Sequence, residues 1–195
     1  ITHVQIIAAC FKKMSDGGLR RAVDGSWLAD LHPAYFGRVM ATGIVSVASF
    51  LTGLYWVAHA LVWVNVAFFI ILAALHLARL VRYPTHMIAD LMSHSRCVGF
   101  FTAVAAPCIL GSQLLVIEAR TTIAVWLWIL GIVLWVGLTY TVFTVLSVKR
   151  VKPTLPEGIN GGWLLAVVAS QSIAVLGAQL AVPMGWTHGL VLFFC

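Results

Sequence analysis

The chain has 195 residues, of which 62% are hydrophobic and only 9% charged, with a formal net charge of +6. A soluble domain carries roughly 25% charged residues, so the composition excludes an ordinary soluble fold and places the chain in a bilayer. The positive excess is not a nucleic-acid footprint, because the basic residues flank apolar runs instead of covering one polar face.

Residues 1–31 form a polar N-terminal segment carrying Lys12, Lys13, Arg20 and Arg21. The segment has no apolar core long enough for a cleavable signal peptide. Met14 heads MSDGGLRRAVDGS and reads as a natural start, so residues 1–13 are expected to be upstream residues. Residues 32–195 read as a transmembrane domain. A bilayer core needs about 20 apolar residues per helix, and the chain offers five full spans: about Tyr35 to Trp56, Ala58 to Leu80, Val98 to Ile117, Thr122 to Val148 and Gly162 to Val182. A sixth starts near Trp186 and is cut off at Cys195. The fold expected is therefore all-α and integral to the membrane.

Charge sets the expected orientation. Ten of the twelve basic residues lie before the first span, from the end of the second span to the start of the third, or after the fourth. These positions share one side of the membrane, and the positive-inside rule makes it the cytoplasmic side. The expected location is a cell (inner or plasma) membrane, with the N-terminus in the cytoplasm.

The spans differ in kind. The second and fourth (VNVAFFIILAAL, WLWILGIVLWVGL) are bulky all round, with aromatic residues near their ends, as suits lipid. The first carries Thr42, Ser46, Ser49 and Gly53 at helical spacing, with Arg38 one turn before them. The third carries Thr102, Ala105, Ala106, Ser112 and Gln113 around Pro107, and the fifth Ser170, Gln171 and Ser172. Polar side chains inside a membrane are costly unless they face protein or water. Two readings follow: small and hydroxyl residues let helices pack closely, or the odd spans share a polar lumen. Their recurrence on every odd span favours the lumen. Pro107 suits either, since a kinked helix frees a carbonyl that a protein interior or a wet cavity can take up.

PAYFGRVMATGIVS in the first span and INGGWLLAVVASQSIAVLG, residues 159–177, resemble helix signatures of the tellurite-resistance/C4-dicarboxylate transporter family. The HSRCVGFF opening of the proline-bearing third span falls in the matching order. That family includes tellurite-resistance proteins, malate permeases, sulfite pumps and plant slow-type anion channels. The resemblance implies ten helices arranged as five hairpins around a central pore, with the odd helices inside and often a trimeric assembly. It also implies that this chain is the first half. The family's gating phenylalanine belongs to the ninth helix, so Phe36, Phe50, Phe100 and Phe101 do not stand in for it. Arg38 is not demanded by the family pattern.

The function expected is transport of a small anion: a C4-dicarboxylate such as malate, or tellurite, sulfite, chloride or nitrate. An anion pathway needs hydrogen-bond donors and a modest positive potential without a trap. The candidate lining is Arg38, Thr42, Ser46, Ser49, Thr102, Pro107, Gln113, Ser170 and Gln171. Arg38 either snorkels to headgroups or forms a positive vestibule. No carboxylate falls within a span, which favours passive conduction over a proton relay. No enzyme motif, metal set or cofactor is expected, since the histidines are too scattered for ligand spacing. The alternative from another class is a membrane anchor or haem-bearing subunit of an oxidoreductase, for which only His76 lies clearly within a span. The expected partners are small anions, the bilayer and further copies of the chain, with no nucleic acid.

Overall fold

The computed structural model describes residues 26–93, 96–148 and 161–185. Among them there are helices and no strands. Five helical stretches are long and apolar enough to cross a membrane, so the chain is an all-α membrane bundle. The polar N-terminal segment up to residue 25, the basic stretch 149–160 and the sixth span lie outside the described residues.

A helical turn at Ser26–Ala29 leads to a 3₁₀ turn, Pro33–Phe36, and then to α1, Gly37–Leu51. The second span is α2, Tyr55–Arg82, and the loop after it holds an additional short helix, α3, Pro84–Met92. The third span is a 3₁₀ turn, Cys97–Phe101, continuing into α4, Thr102–Glu118. The fourth is α5, Thr121–Val148, and the fifth a 3₁₀ turn, Gly161–Trp163, continuing into α6, Leu164–Met184.

α1 ends at Leu51, five residues before the Tyr35–Trp56 expectation, and a proper turn follows. Gly53 takes φ 85°, a left-handed conformation that only glycine adopts without strain. The Thr52 hydroxyl meanwhile bonds the Ala48 and Ser49 carbonyls. Gly53 therefore belongs to the turn and not to the polar stripe read along the first span. α2 correspondingly starts earlier, at Tyr55, and its 28 residues span about 42 Å, more than a ~30 Å hydrocarbon core requires.

The helices form two layers. α4 sits in the middle of the inner layer, with α1 on one side and α6 on the other. α2 covers the α1–α4 seam from outside, and α5 covers the α4–α6 seam. The third span is 61% buried, against 11% for each of the outer spans, so α4 is the axis of the bundle. Close approach is possible because of missing side chains. A methyl group on Gly43 of α1 would lie 2.6 Å from Ile109 Cγ2 of α4. One on Gly131 of α5 would lie 2.5 Å from Cys108 Sγ, and one on Gly111 of α4 would lie 2.7 Å from Leu176 Cδ2 of α6. In a membrane, where apolar burial gives no advantage over lipid, such contact is a main source of helix association.

At the near end, where the odd spans begin, α3 is clamped by charge. Asp90 is 5% exposed and accepts from Arg79 of α2 at 2.6 Å, while Arg96 donates to its other carboxylate oxygen. Arg79, fully buried, also donates from Nε and a terminal nitrogen to the Ala29 carbonyl at 3.1 and 2.7 Å. The positive-inside reading counts Arg79 and Arg96 only as basic residues around the loop between the second and third spans; in the fold they share one counter-ion. Breaking a buried pair from one side leaves an uncompensated charge. Asp90→Ala is expected to cost about 3–5 kcal/mol, and Arg96→Gln distinctly less because that side chain is one-third exposed. Melting of the purified protein in detergent checks the order.

Candidate functional site

All three inner helices open with a 3₁₀ turn rich in aromatic residues, glycine or proline: PAYF, CVGFF and GGW. The first two turns pack on one another and the second meets the third, giving the near end a continuous rim. Gly99 makes this contact possible, since a Cβ there would sit 3.2 Å from the Ala34 nitrogen and 3.3 Å from His32 Cε1. Thr102 fastens the two turns, its hydroxyl bonding the Pro33 carbonyl at 3.1 Å and the Gly99 carbonyl at 2.7 Å.

His32 caps the first of these turns, accepting the Ala34 N–H on Nδ1 at 3.1 Å. An accepting Nδ1 requires the neutral ring with its proton on Nε2. Burial pushes the His32 pKa below the usual histidine value, Arg96 and Arg79 push the same way, and Asp90 opposes them.

The nine sequence candidates divide into two groups. Ser46, Thr102, Pro107 and Gln113 are buried. The Ser46 hydroxyl bonds the Ala58 carbonyl of α2 at 2.9 Å, and Ser46 shares its stripe with Val39 and Gly43, the other buried residues of α1. Pro107 falls on the helical face that also carries Leu110, Leu114 and Glu118, which line the outward side of α4. Ser46, Thr102 and Gln113 tie neighbouring elements to one another, and Pro107 is simply buried.

The other five are open or half-open. Arg38 is exposed, its guanidinium 5.1 Å from the centre of the Tyr35 ring, a cation–π distance. Thr42 and Ser49, on the same face as Arg38, turn their hydroxyls back to the carbonyls of Arg38 and Val45. Ser170 of α6 bonds the Val167 carbonyl and Gln171 is exposed. Each hydroxyl proton is thus satisfied by its own helix, leaving oxygen lone pairs outward and a proton that can swing away at small cost.

Sequence reading missed Asn65. It lies on the second span, taken as bulky all round, yet it is fully buried and donates Nδ2 to Gln113 Oε1 of α4 at 2.7 Å. Gly43 of α1 faces the pair, its missing Cβ 3.1 Å from Asn65 Nδ2 and 3.7 Å from Gln113 Oε1. Three helices therefore meet at one amide pair. The signal was present: an asparagine amid VNVAFF is expensive in lipid and needs a partner. The identity of the partner, 48 residues away, was not. Asn65 Oδ1 and Gln113 Nε2 are left buried without partners. His76, the histidine read within the second span, bonds the Leu72 carbonyl through Nδ1 and lies 4.8 Å from the Phe36 ring.

Two measurements follow. Asn65→Leu or Gln113→Leu alone strands the surviving amide and should destabilise the bundle by about 1–2 kcal/mol, while the double variant recovers most of that loss in melting experiments. For His32 the neutral ring is the form the fold binds. The unfolded chain takes up a proton first as pH falls, so stability rises with pH. The His32 contribution is complete above pH 6.5, the ordinary value, and shrinks as pH drops toward its lowered folded value. Asn is an equally good capping acceptor, so His32→Asn should keep the melting temperature at pH 7.5 and flatten its decline toward pH 5.

Comparison with curated proteins and with solved structures returns no match. The family model described as SLAC1, voltage-dependent anion channel, matches residues 30–195, which takes in the whole membrane bundle. The two-layer bundle built on α4 is thus that of an anion channel or transporter family, and this chain belongs to the voltage-dependent anion channel family.

Proposed function

We propose that the chain supplies one wall of a pathway for small inorganic or carboxylate anions, along the inner-layer helices α1, α4 and α6. In this reading the near end is cytoplasmic and residues 32–195 are the first half of a ten-helix bundle. The remaining hairpins close the lumen, and three copies assemble together.

The observation that carries the reading is the division among the polar residues. Those needed for packing are consumed between helices, whereas Arg38, Thr42 and Ser49 on α1 and Gln171 on α6 stay accessible on inner helices. An ion must be attracted and yet leave again. One exposed guanidinium near the mouth supplies attraction, and hydroxyls already bonded to their own helices supply weak, exchangeable contacts. Glu118, the one carboxylate in the five described spans, stands at the opposite end of α4 and is bonded by His59 at 2.8 Å. A passing anion therefore meets no fixed negative charge along the wall. Between chloride or nitrate and a dicarboxylate, the width of the closed lumen decides.

Arg38→Gln is expected to lower chloride, nitrate or malate flux into liposomes by roughly threefold to tenfold at low salt, with the loss shrinking as ionic strength rises. Equal flux at equal incorporation would assign Arg38 to headgroup anchoring. Reversal potentials under a malate gradient separate the modes: insensitivity to a pH gradient supports conduction, and a pH-dependent shift supports proton coupling.

A further inference from the structure

The outer layer contains a feature that the anion pathway does not use. α2 and α5 stand apart over α4 and leave a cleft of about 500 Å³ between them, within the range of small-molecule sites. Val62, Val66 and Phe69 of α2 form one wall, Leu110 and Leu114 of α4 the floor, and Leu127 of α5 the other wall. Two charged residues, Glu118 and Arg120, complete the lining. Along α4 the cleft runs from Leu110 to Glu118, about 12 Å, most of one leaflet of a ~30 Å hydrocarbon core. Its charged end lies at the turn between two spans, at headgroup level.

The two charges are held there separately. Ala119 takes a left-handed conformation, φ 51°, and closes α4 with the Arg120 N–H on the Leu114 carbonyl at 3.1 Å. This turn brings Arg120 beside Glu118. The Glu118 carboxylate is steadied from α2 by His59 Nδ1 on one oxygen, 2.8 Å away, and stays about one-quarter exposed. The Arg120 side chain is exposed and has no ion-pair partner among the described residues. The cleft thus offers a greasy trough ending in one guanidinium and one carboxylate.

We infer that this cleft binds a phosphatidylethanolamine, one acyl chain in the trough, its phosphate on Arg120 and its primary ammonium on Glu118. The charge arrangement selects this headgroup. Phosphatidylglycerol would place a second polar group without a cation against Glu118. Phosphatidylcholine has the positive charge but no N–H to donate to the carboxylate. This inference does not depend on which ion the inner layer passes.

The test uses the full-length protein in mild detergent with added lipids of identical acyl chains, counting retained lipid by native mass spectrometry. Phosphatidylethanolamine should be retained roughly fivefold over phosphatidylglycerol, the weight of one interfacial charge, and roughly twofold or more over phosphatidylcholine, whose ammonium cannot donate a charge-assisted hydrogen bond. Arg120→Gln should lower retention of all three, whereas Glu118→Gln should remove only the ethanolamine preference. Val66→Trp, which fills the trough, should abolish retention throughout while leaving the melting temperature without lipid unchanged or raised. Equal retention of the three lipids, or a preference that survives Glu118→Gln, would overturn the assignment. So would quantitative crosslinking of Trp63→Cys to a second copy without retained lipid, since that would show a neighbouring subunit filling the cleft.

Discussion

Everything in this bundle leans on α4, a helix surrounded on nearly all sides by protein inside a solvent that does not drive apolar groups together. Such a helix can be held only by close contact and by polar groups with nowhere else to go. Both devices are present along its length. Glycines on three helices remove the atoms that would keep α4 at a distance: Gly43 on α1, Gly131 on α5 and Gly111 on α4 itself. Ser46 to Ala58, Asn65 to Gln113 and Thr102 to Pro33 then join neighbours in register.

The near end adds a stiffer element. Asp90 between Arg79 and Arg96 ties α2, α3 and the start of the third span together, and the Ala29 carbonyl brings in the segment before the first span. Buried ion pairs are poor sources of net stability but good at fixing a unique arrangement. Here the arrangement fixed is the rim where the 3₁₀ turns of the inner helices meet. A channel mouth built this way has its shape set by buried charge and its wall chemistry set by the open face of α1. The two can change independently.

Much of the fold was legible in the residues because membrane burial follows length and composition. Five apolar runs gave five spans, and the small, polar odd spans became the inner layer. The resemblance in PAYFGRVMATGIVS and INGGWLLAVVASQSIAVLG led to the family that the comparison then showed. The helix α3 was not legible, since a nine-residue amphipathic stretch in a charged loop has no membrane signal. The candidate site was less readable still. Thr42, Ser46 and Ser49 fall within one broad helical arc, yet only Ser46 lies on the side where α2 arrives.

The sequence by itself determined that this chain lives in a bilayer, how many times it crosses among the described residues, and which helices are suited to the inside. Those properties depend on transfer free energies and periodicity, which are local. Only the tertiary structure decided which polar side chain meets which: that Asn65 spends itself on Gln113, that Arg79 and Arg96 share Asp90, and that Arg38, Thr42 and Ser49 are left for something else. A hydroxyl or an amide carries the same cost in lipid whatever relieves it, so the identity of its partner depends on helix packing far away in the chain.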